Sequence, residues 1–276
     1  MSIAPLATVP ATPCTATSPT ATRRTALAFR GRIGQDARSG HYAVPHRYRL
    51  HLSTGCADGL RLAVGHSLLG LDAVCPVVFL PGLPDRPDGG HSALRPLYEA
   101  SAHHWTEPAL APVLSDDWTG RIVSTHAPDI LRDLDRFPRD GRISLYPCGT
   151  ESRIDAVERL CAEGVLAAAR CAGRLDNGPA ERAAALDVLL DTLGRLERHL
   201  TGEEYVVDGR LTAADIELWV ALVRLHTVHR HHLDASAAHR VAEHPVLWAH
   251  VRRLTDRPAF GRHLDPDSVD SLAARI

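Results

Sequence analysis

The chain contains no lysine: all 31 basic side chains are arginine, against 33 aspartates and glutamates, and there is a single methionine. Alongside abundant alanine, proline and histidine, that bias reads as GC-rich coding rather than a functional signature. The formal net charge of −2 leaves no surplus of one sign, and no basic stripe is present to track a phosphate backbone. No nucleic-acid partner is expected. The six cysteines, at positions 14, 56, 75, 148, 161 and 171, include no Cys-x-x-Cys pair and no regular spacing, which argues against a zinc knuckle or a disulfide framework. A reducing, cytoplasmic setting follows, with no metal. Apolar runs such as residues 74–83 are short and broken by proline, so neither a membrane span nor a membrane partner is expected. No Walker loop or Ser-His-Asp order occurs in a usable context, and Gly82, Gly89 and Gly90 lie in a Pro- and Asp-rich loop with no helix start after them. Hydrolase and nucleotide-binding chemistry fall away.

At 276 residues the chain suits two compact units and a tail. Residues 1–25 are mostly Ala, Thr, Pro and Ser, too poor in bulky apolar groups to order themselves, so 1–40 is read as a disordered tail and lead-in. From Tyr48 to Ser53 polar and apolar residues alternate as in a strand, and after Cys56 the residues Leu60, Val64, Leu68 and Leu71 recur at helical spacing. Val77 to Leu80 reads as a buried strand, Pro112 to Leu114 as the next, and Arg121 to Ser124 as its hairpin partner across Asp-Asp-Trp-Thr-Gly. Ile130, Leu131 and Leu134 begin a helix. The order β-α-β then β-β-α fits a small mixed sheet with helices on its faces, spanning 41–140.

After Tyr146-Pro147 the pattern is helical throughout, with Ile154, Val157, Leu160 and Val165, then Leu186, Leu189, Leu193 and Leu196, marking long helices of an all-α unit over 141–260. Residues 261–276 read as a C-terminal tail. The sharpest local signal is Leu211-Thr212-Ala213-Ala214-Asp215-Ile216, where Thr212 and Asp215 make a capping box and Leu211 and Ile216 a hydrophobic staple. It starts a buried helix and does no chemistry.

The cysteine at a strand-to-helix turn, Ala111-Pro112 before a strand, and Leu-Thr-Ala-Ala-Asp-Ile opening a core helix together resemble the glutathione-transferase superfamily. Residues 45–53, Cys56 to Arg61, Leu69-Gly70-Leu71, Leu145-Tyr146-Pro147, Ile154-Asp155 and Leu211 through Arg224 to His232 look most like its glutathionyl-hydroquinone reductase, or xi-class, branch. The resemblance implies an α/β thioredoxin-like N-terminal domain followed by an all-α glutathione-transferase-type domain. It also implies a catalytic Cys56 whose thiolate is favoured by a helix N-terminus, and a cis Ala111-Pro112 whose backbone pairs with the cysteine of glutathione. A homodimer is the mode implied by the family.

Several positions depart from that family. Of its Cys-Pro-Trp-Ala-His-Arg run only Cys56 and Arg61 remain, and Asp58 brings a carboxylate that would oppose a nearby thiolate. The Glu-Ser pair that holds the γ-glutamyl end aligns with His126-Ala127, which supplies neither carboxylate nor hydroxyl. Glutathione or another low-molecular-weight thiol is therefore the implied co-substrate. Leu166 and His229 align with tyrosines that face the quinol in the family, and Arg224 and His226 join them as substrate candidates. His226, His229, His231 and His232 crowd the end of the helix begun at Thr212, with 226 and 229 on one face.

The expected function is a thiol-dependent transferase or reductive dethiolation enzyme acting on a quinone-like or other electrophilic small molecule. Two other classes fit the same departures: a catalytically silent scaffold of this fold, or a fold recruited for a thiol-independent biosynthetic reaction resting on the histidines. Cys75, Cys161 and Cys171 read as core residues, and His103-His104-Trp105 as solvated surface.

Overall fold

The computed structural model describes residues 29–34, 40–137 and 143–274. The segment read as a disordered tail, 1–25, lies outside the described residues.

Strand β1 (Tyr48–Leu52) buries Tyr48, Leu50 and Leu52 and leaves Arg49 and His51 half-buried, the two-residue alternation of a pleated strand. A tight turn leads into helix α1 (Ala57–Leu69), which Gly70 ends in the left-handed region at φ 63, its N–H returning to the carbonyls of His66 and Ser67. β2 (Val77–Phe79) runs parallel to β1, while β3 (Val113–Asp116) is antiparallel to both β1 and β4 (Arg121–Ser124). The sheet order β2-β1-β3-β4 places β2 at an edge, so the strand expected to be buried is only partly covered and Phe79 is 55% exposed. Helix α2 (Arg95–Ser101) lies between β2 and β3 in sequence, and helix α3 (Ala127–Leu134) follows β4 and packs on α1. This is the thioredoxin-like plan.

A core formed by Leu80, Leu94, Tyr98, Ala109, Val113 and Ile122 is joined by half-buried Phe29 and Trp105. The ring of Trp105 lies 4.9 Å from that of Tyr98 and 5.6 Å from that of Phe29, so this tryptophan is packing material and not the solvated residue its His-His neighbours suggested. His103 and His104 are exposed.

Phe29 belongs to an arm, residues 29–34, that runs beside β4: Gly31 N donates to Val123 O at 2.9 Å and Thr125 N to Phe29 O at 3.0 Å. Gly31 is needed there, since a Cβ would stand 2.6 Å from the Val123 carbonyl oxygen. The arm fastens α3 through charge. Asp133, fully buried, accepts from Ile33 N at 2.8 Å and from Arg32 Nη2 at 2.8 Å, with Arg136 Nη1 at 3.2 Å.

The helical unit begins with α4 (Glu151–Arg159), continues through a π-helical stretch (Leu160–Ala167) and ends its first arm in α5 (Ala168–Gly173). Helices α6 (Pro179–Leu200), α7 (Ala213–Thr227), α8 (Ala235–Ala242) and α9 (Pro245–Thr255) follow. α7 is the central helix, buried without a break from Ala213 to Val223, and Trp219 Nε1 donates to Thr255 Oγ1 at 3.0 Å. Its capping box forms as the spacing predicts: Asp215 accepts from Thr212 N and Val206 N, each at 2.9 Å, with Leu211 and Ile216 buried beside it.

Contacts group the described residues between Phe29 and Tyr146 with Arg257–Asp265 as one unit, and those of Pro147–Asp256 with those from Pro266 onward as the other. The short helix α10 (Pro258–Gly261) closes the stretch expected to be all-helical, and the stretch expected as a tail, 261–276, contains helix α11 (Pro266–Ala274). Phe260, fully buried, explains the return to the first unit, as does His263, whose Nε2 lies 2.8 Å from Ser67 Oγ on α1.

Candidate active site

Strand register brings three segments of the first unit together. His51 opposite Val113 sets Pro112 beside the end of β1, and Leu52 opposite Phe79, with Leu80 N donating to Leu52 O at 2.7 Å, carries the end of β2 along the same turn. Ser53 Oγ then donates to the carbonyls of Pro81 at 3.0 Å and Gly82 at 3.3 Å. Glycine is required at two points of this turn. A Cβ on Gly55 would meet Gly82 O at 2.0 Å, and one on Gly59 would meet Ser53 O at 1.9 Å.

Cys56 is the N-cap of α1 in extended conformation, φ −116 and ψ 156. Its Sγ accepts from Gly59 N at 3.3 Å and donates to Ser53 O at 3.3 Å. A sulfur in that place takes up one of the unpaired amides of the first turn, and the helix dipole favours its anion. Asp58 was expected to oppose that charge, but its carboxylate lies 2.6 Å from Arg61 Nη1, whose side chain is only 10% exposed. The first turn therefore carries a compensated pair. The i,i+3 spacing of Asp58 and Arg61 was the available signal.

The Ala111-Pro112 bond is cis. The carbonyls before it are already engaged: Ala109 O accepts from His91 N at 2.8 Å and Leu110 O from the Tyr98 hydroxyl at 2.7 Å. Burial pushes that hydroxyl up to about 12, so it stays a donor.

His126 is the N-cap of α3 without a side-chain cap bond, its backbone N–H donating to Ser124 Oγ at 3.2 Å, and Ala127 is buried behind it. Its Nδ1 is 3.0 Å from Asp129 Oδ2 but out of line for a hydrogen bond. Asp129 is already held by Arg30 at 2.6 Å and Arg32 at 3.2 Å. Burial alone would raise its carboxyl, but the Arg30 hydrogen bond and the charges of Arg32 and His126 outweigh it and keep the group below the ordinary carboxylate range. This Arg-Asp arrangement at the start of α3 was missed from the sequence, although Arg30-x-Arg32 and Asp129-x-x-x-Asp133 carry the matching spacings.

The remaining candidates lie in the helical unit. Leu166 is half-buried on the π-helical stretch and Arg224 half-buried on α7. His226 is buried, its ring 5.7 Å from that of Trp248 and its Nδ1 3.3 Å from Arg230 Nη1. α7 ends at Thr227, so His229 sits on a 3-10 turn (His229–His232) and does not continue the helical face of His226. Burial, reinforced by the charges of Arg170, Arg224 and His232, pushes His229 down to about 4. Cys75 and Cys161 are buried, whereas Cys171 is only half-buried. Among the described residues no cluster of three His, Cys, Asp or Glu is placed to hold a metal, and no helix is long and apolar enough to cross a membrane.

A cysteine-capped helix next to a cis-proline on a β2-β1-β3-β4 sheet, with an all-helical unit after it, is the glutathione-transferase fold, and the glutathione S-transferase C-terminal domain family matches residues 179–253. The glutathionyl-hydroquinone reductase PcpF of Sphingobium chlorophenolicum is 30% identical over 247 residues, covering 82% of this chain and 76% of the relative. YqjG of Escherichia coli, with the same description, is 26% identical over 90% of this chain and 82% of its own length. Its glutathione-bound structure superposes with a TM-score of 0.74 at 24% identity, covering 88% of this chain and 86% of that one. A xi-class transferase from Phanerochaete chrysosporium gives 0.74 at 25% identity, over 87% and 83% of the two chains. The chain belongs to the glutathionyl-hydroquinone reductase family, the xi branch of the glutathione transferases.

Proposed function

We propose that this chain is a thiol-dependent reductase that removes a glutathionyl or similar thiol group from an electrophilic, quinone-like small molecule, with Cys56 as nucleophile. The observation that carries this is Cys56 at the α1 N-cap with the Gly59 N–H on its sulfur, beside the cis-proline. The two relatives named as glutathionyl-hydroquinone reductases supply the reaction class. In this reading the Cys56 thiolate attacks the conjugate's sulfur, a Cys56 disulfide forms as the carbon–sulfur bond breaks, and the electron pair and a proton end on the ring carbon. A second thiol, as thiolate, then attacks the mixed disulfide and releases Cys56, so two thiols leave as a disulfide and the ring is reduced by two electrons.

The thiol lies along Ala111 and Pro112, next to His126 and Ala127. Because Arg30 and Arg32 hold Asp129, that carboxylate is no free partner for an ammonium group. The recognition of the thiol then rests on backbone pairing more than on its γ-glutamyl end. Leu166, Arg224, His226 and His229 are assigned to the acceptor, His229 as a neutral imidazole at physiological pH.

Cys56→Ser tests the nucleophile. Serine is as good an N-cap as cysteine, so stability should change by less than about 1 kcal/mol, while turnover of a glutathionyl-hydroquinone should fall by at least about a thousandfold. Full turnover in Cys56→Ser rules out nucleophilic catalysis by this residue.

A further inference from the structure

His91 has no role in anything described so far. It is 4% exposed, and its Nδ1 is a buried nitrogen with no hydrogen-bond partner among the described residues. The polar groups around it are satisfied: Asp85 accepts from Ser92 N at 2.8 Å, and Asp88 from Gly90 N at 2.9 Å and Arg86 Nε at 3.3 Å. An unpaired buried polar atom is costly and uncommon in a native protein, and an apolar side chain in that place would avoid the cost.

Its position suggests what completes it. The loop carrying His91 is fastened to the approach to the cis-proline, since His91 N donates to Ala109 O at 2.8 Å and a Cβ on Gly90 would stand 2.8 Å from Ala109 N. With Ala109 O and Leu110 O both engaged, the Ala111 backbone is the next position able to pair with an extended ligand. A peptide in strand conformation presents an amide about every 3.3 Å. A peptide thiol whose cysteine lies at Ala111 therefore brings a second amide toward the segment that bears His91.

We propose that His91 is a binding residue for the thiol co-substrate, its Nδ1 accepting an amide N–H from a peptidic thiol. This assignment rests on the reading that a thiol lies along Ala111-Pro112. It makes peptide-bonded thiols the preferred class over simple ones such as 2-mercaptoethanol, which have no amide to offer.

The probe is S-methylglutathione, which binds without reacting, titrated calorimetrically into the full-length wild type, His91→Leu and His91→Asn. His91→Leu should weaken binding by about tenfold or more, while His91→Asn, whose side-chain oxygen can accept the same N–H, should stay within about threefold. Without ligand, the thermal midpoint of His91→Leu should be unchanged or higher, because the variant removes an unpaired polar atom. The KM for 2-mercaptoethanol should not move. Equal affinity of wild type and His91→Leu, or no binding of S-methylglutathione by the wild type, overturns the assignment. So does a lowered midpoint in His91→Leu with affinity retained, the mark of a structural role. If Cys56→Ser keeps full turnover while His91→Leu still loses the probe, the nucleophile reading fails and the His91 site stands.

Discussion

Asp133→Leu should release the arm formed by residues 29–34. The carboxylate is fully buried and takes the Ile33 N–H at 2.8 Å, three contacts from Arg32, one at 2.8 and two at 3.1 Å, and Arg136 at 3.2 Å. Removing the carboxylate leaves the buried Ile33 N–H unpaired, about 1–3 kcal/mol, and takes charged hydrogen bonds worth about 1 kcal/mol more from Arg32 and Arg136, which are 39% and 41% exposed and can turn to water. Asp133→Asn keeps an acceptor for Ile33 and loses only the charge assistance, about 1 kcal/mol. At roughly 2–4 °C per kcal/mol for a chain of this size, the leucine variant should melt on the order of 10 °C below wild type and the asparagine variant between them. Limited trypsin digestion supplies an independent readout. Since the chain has no lysine, trypsin can cut only after arginine, and Arg30 and Arg32 should become early sites once the arm is loose. A leucine variant that melts within about 1 kcal/mol of wild type and keeps its arm resistant to trypsin would refute the argument.

Gly59→Ala should destabilise the chain by roughly 2–3 kcal/mol and remove activity, because its Cβ would stand 1.9 Å from a backbone oxygen in the turn that seats Cys56. Gly194→Ala, whose nearest neighbour would be a flexible arginine tip at 3.5 Å, is the control and should be neutral or stabilising in the same thermal melt. Acid should destabilise the fold through His250, which burial and the Arg253 charge push down from 6.5 to about 4. The folded chain binds this proton less readily than the unfolded one, so the contribution is complete above 6.5 and is lost as pH falls toward 4, by up to about 1.4 kcal/mol per pH unit. Asp215, pushed up to about 6 by burial, takes a proton in the folded state over the same range and offsets part of that slope. Thermal midpoints of His250→Phe should therefore fall less steeply with acid than those of wild type; parallel curves would contradict the assignment.

What the sequence made legible was local. Thr212 and Asp215 announce the start of α7 because a capping box is written within four residues, and Cys56 marks a strand-to-helix turn because an alternating run precedes it and one of helical spacing follows. What it hid depends on partners distant in sequence. Nothing near Phe29 says that this arm pairs with β4 some ninety residues on, and nothing near Val77 says that β2 lies at the sheet edge. Trp105 looked exposed because its neighbours are histidines, yet Tyr98 and Phe29 give it a packed site. At the candidate site, Asp58 was read as a lone charge when Arg61 neutralises it within one turn. His91 passed unnoticed, since an unpaired buried nitrogen is a property of packing that no spacing encodes.

The return of residues Arg257–Asp265 to the first unit has a bearing on synthesis. Domains commonly fold from the N-terminus as the chain emerges from the ribosome, but here α1 remains without Phe260 and the His263–Ser67 contact until nearly the whole chain has been made. A gene fragment ending at Tyr146 would leave out that covering segment, so the thioredoxin-like half should be poorly behaved when expressed alone. The first unit is thus closed by residues translated some two hundred positions after Cys56.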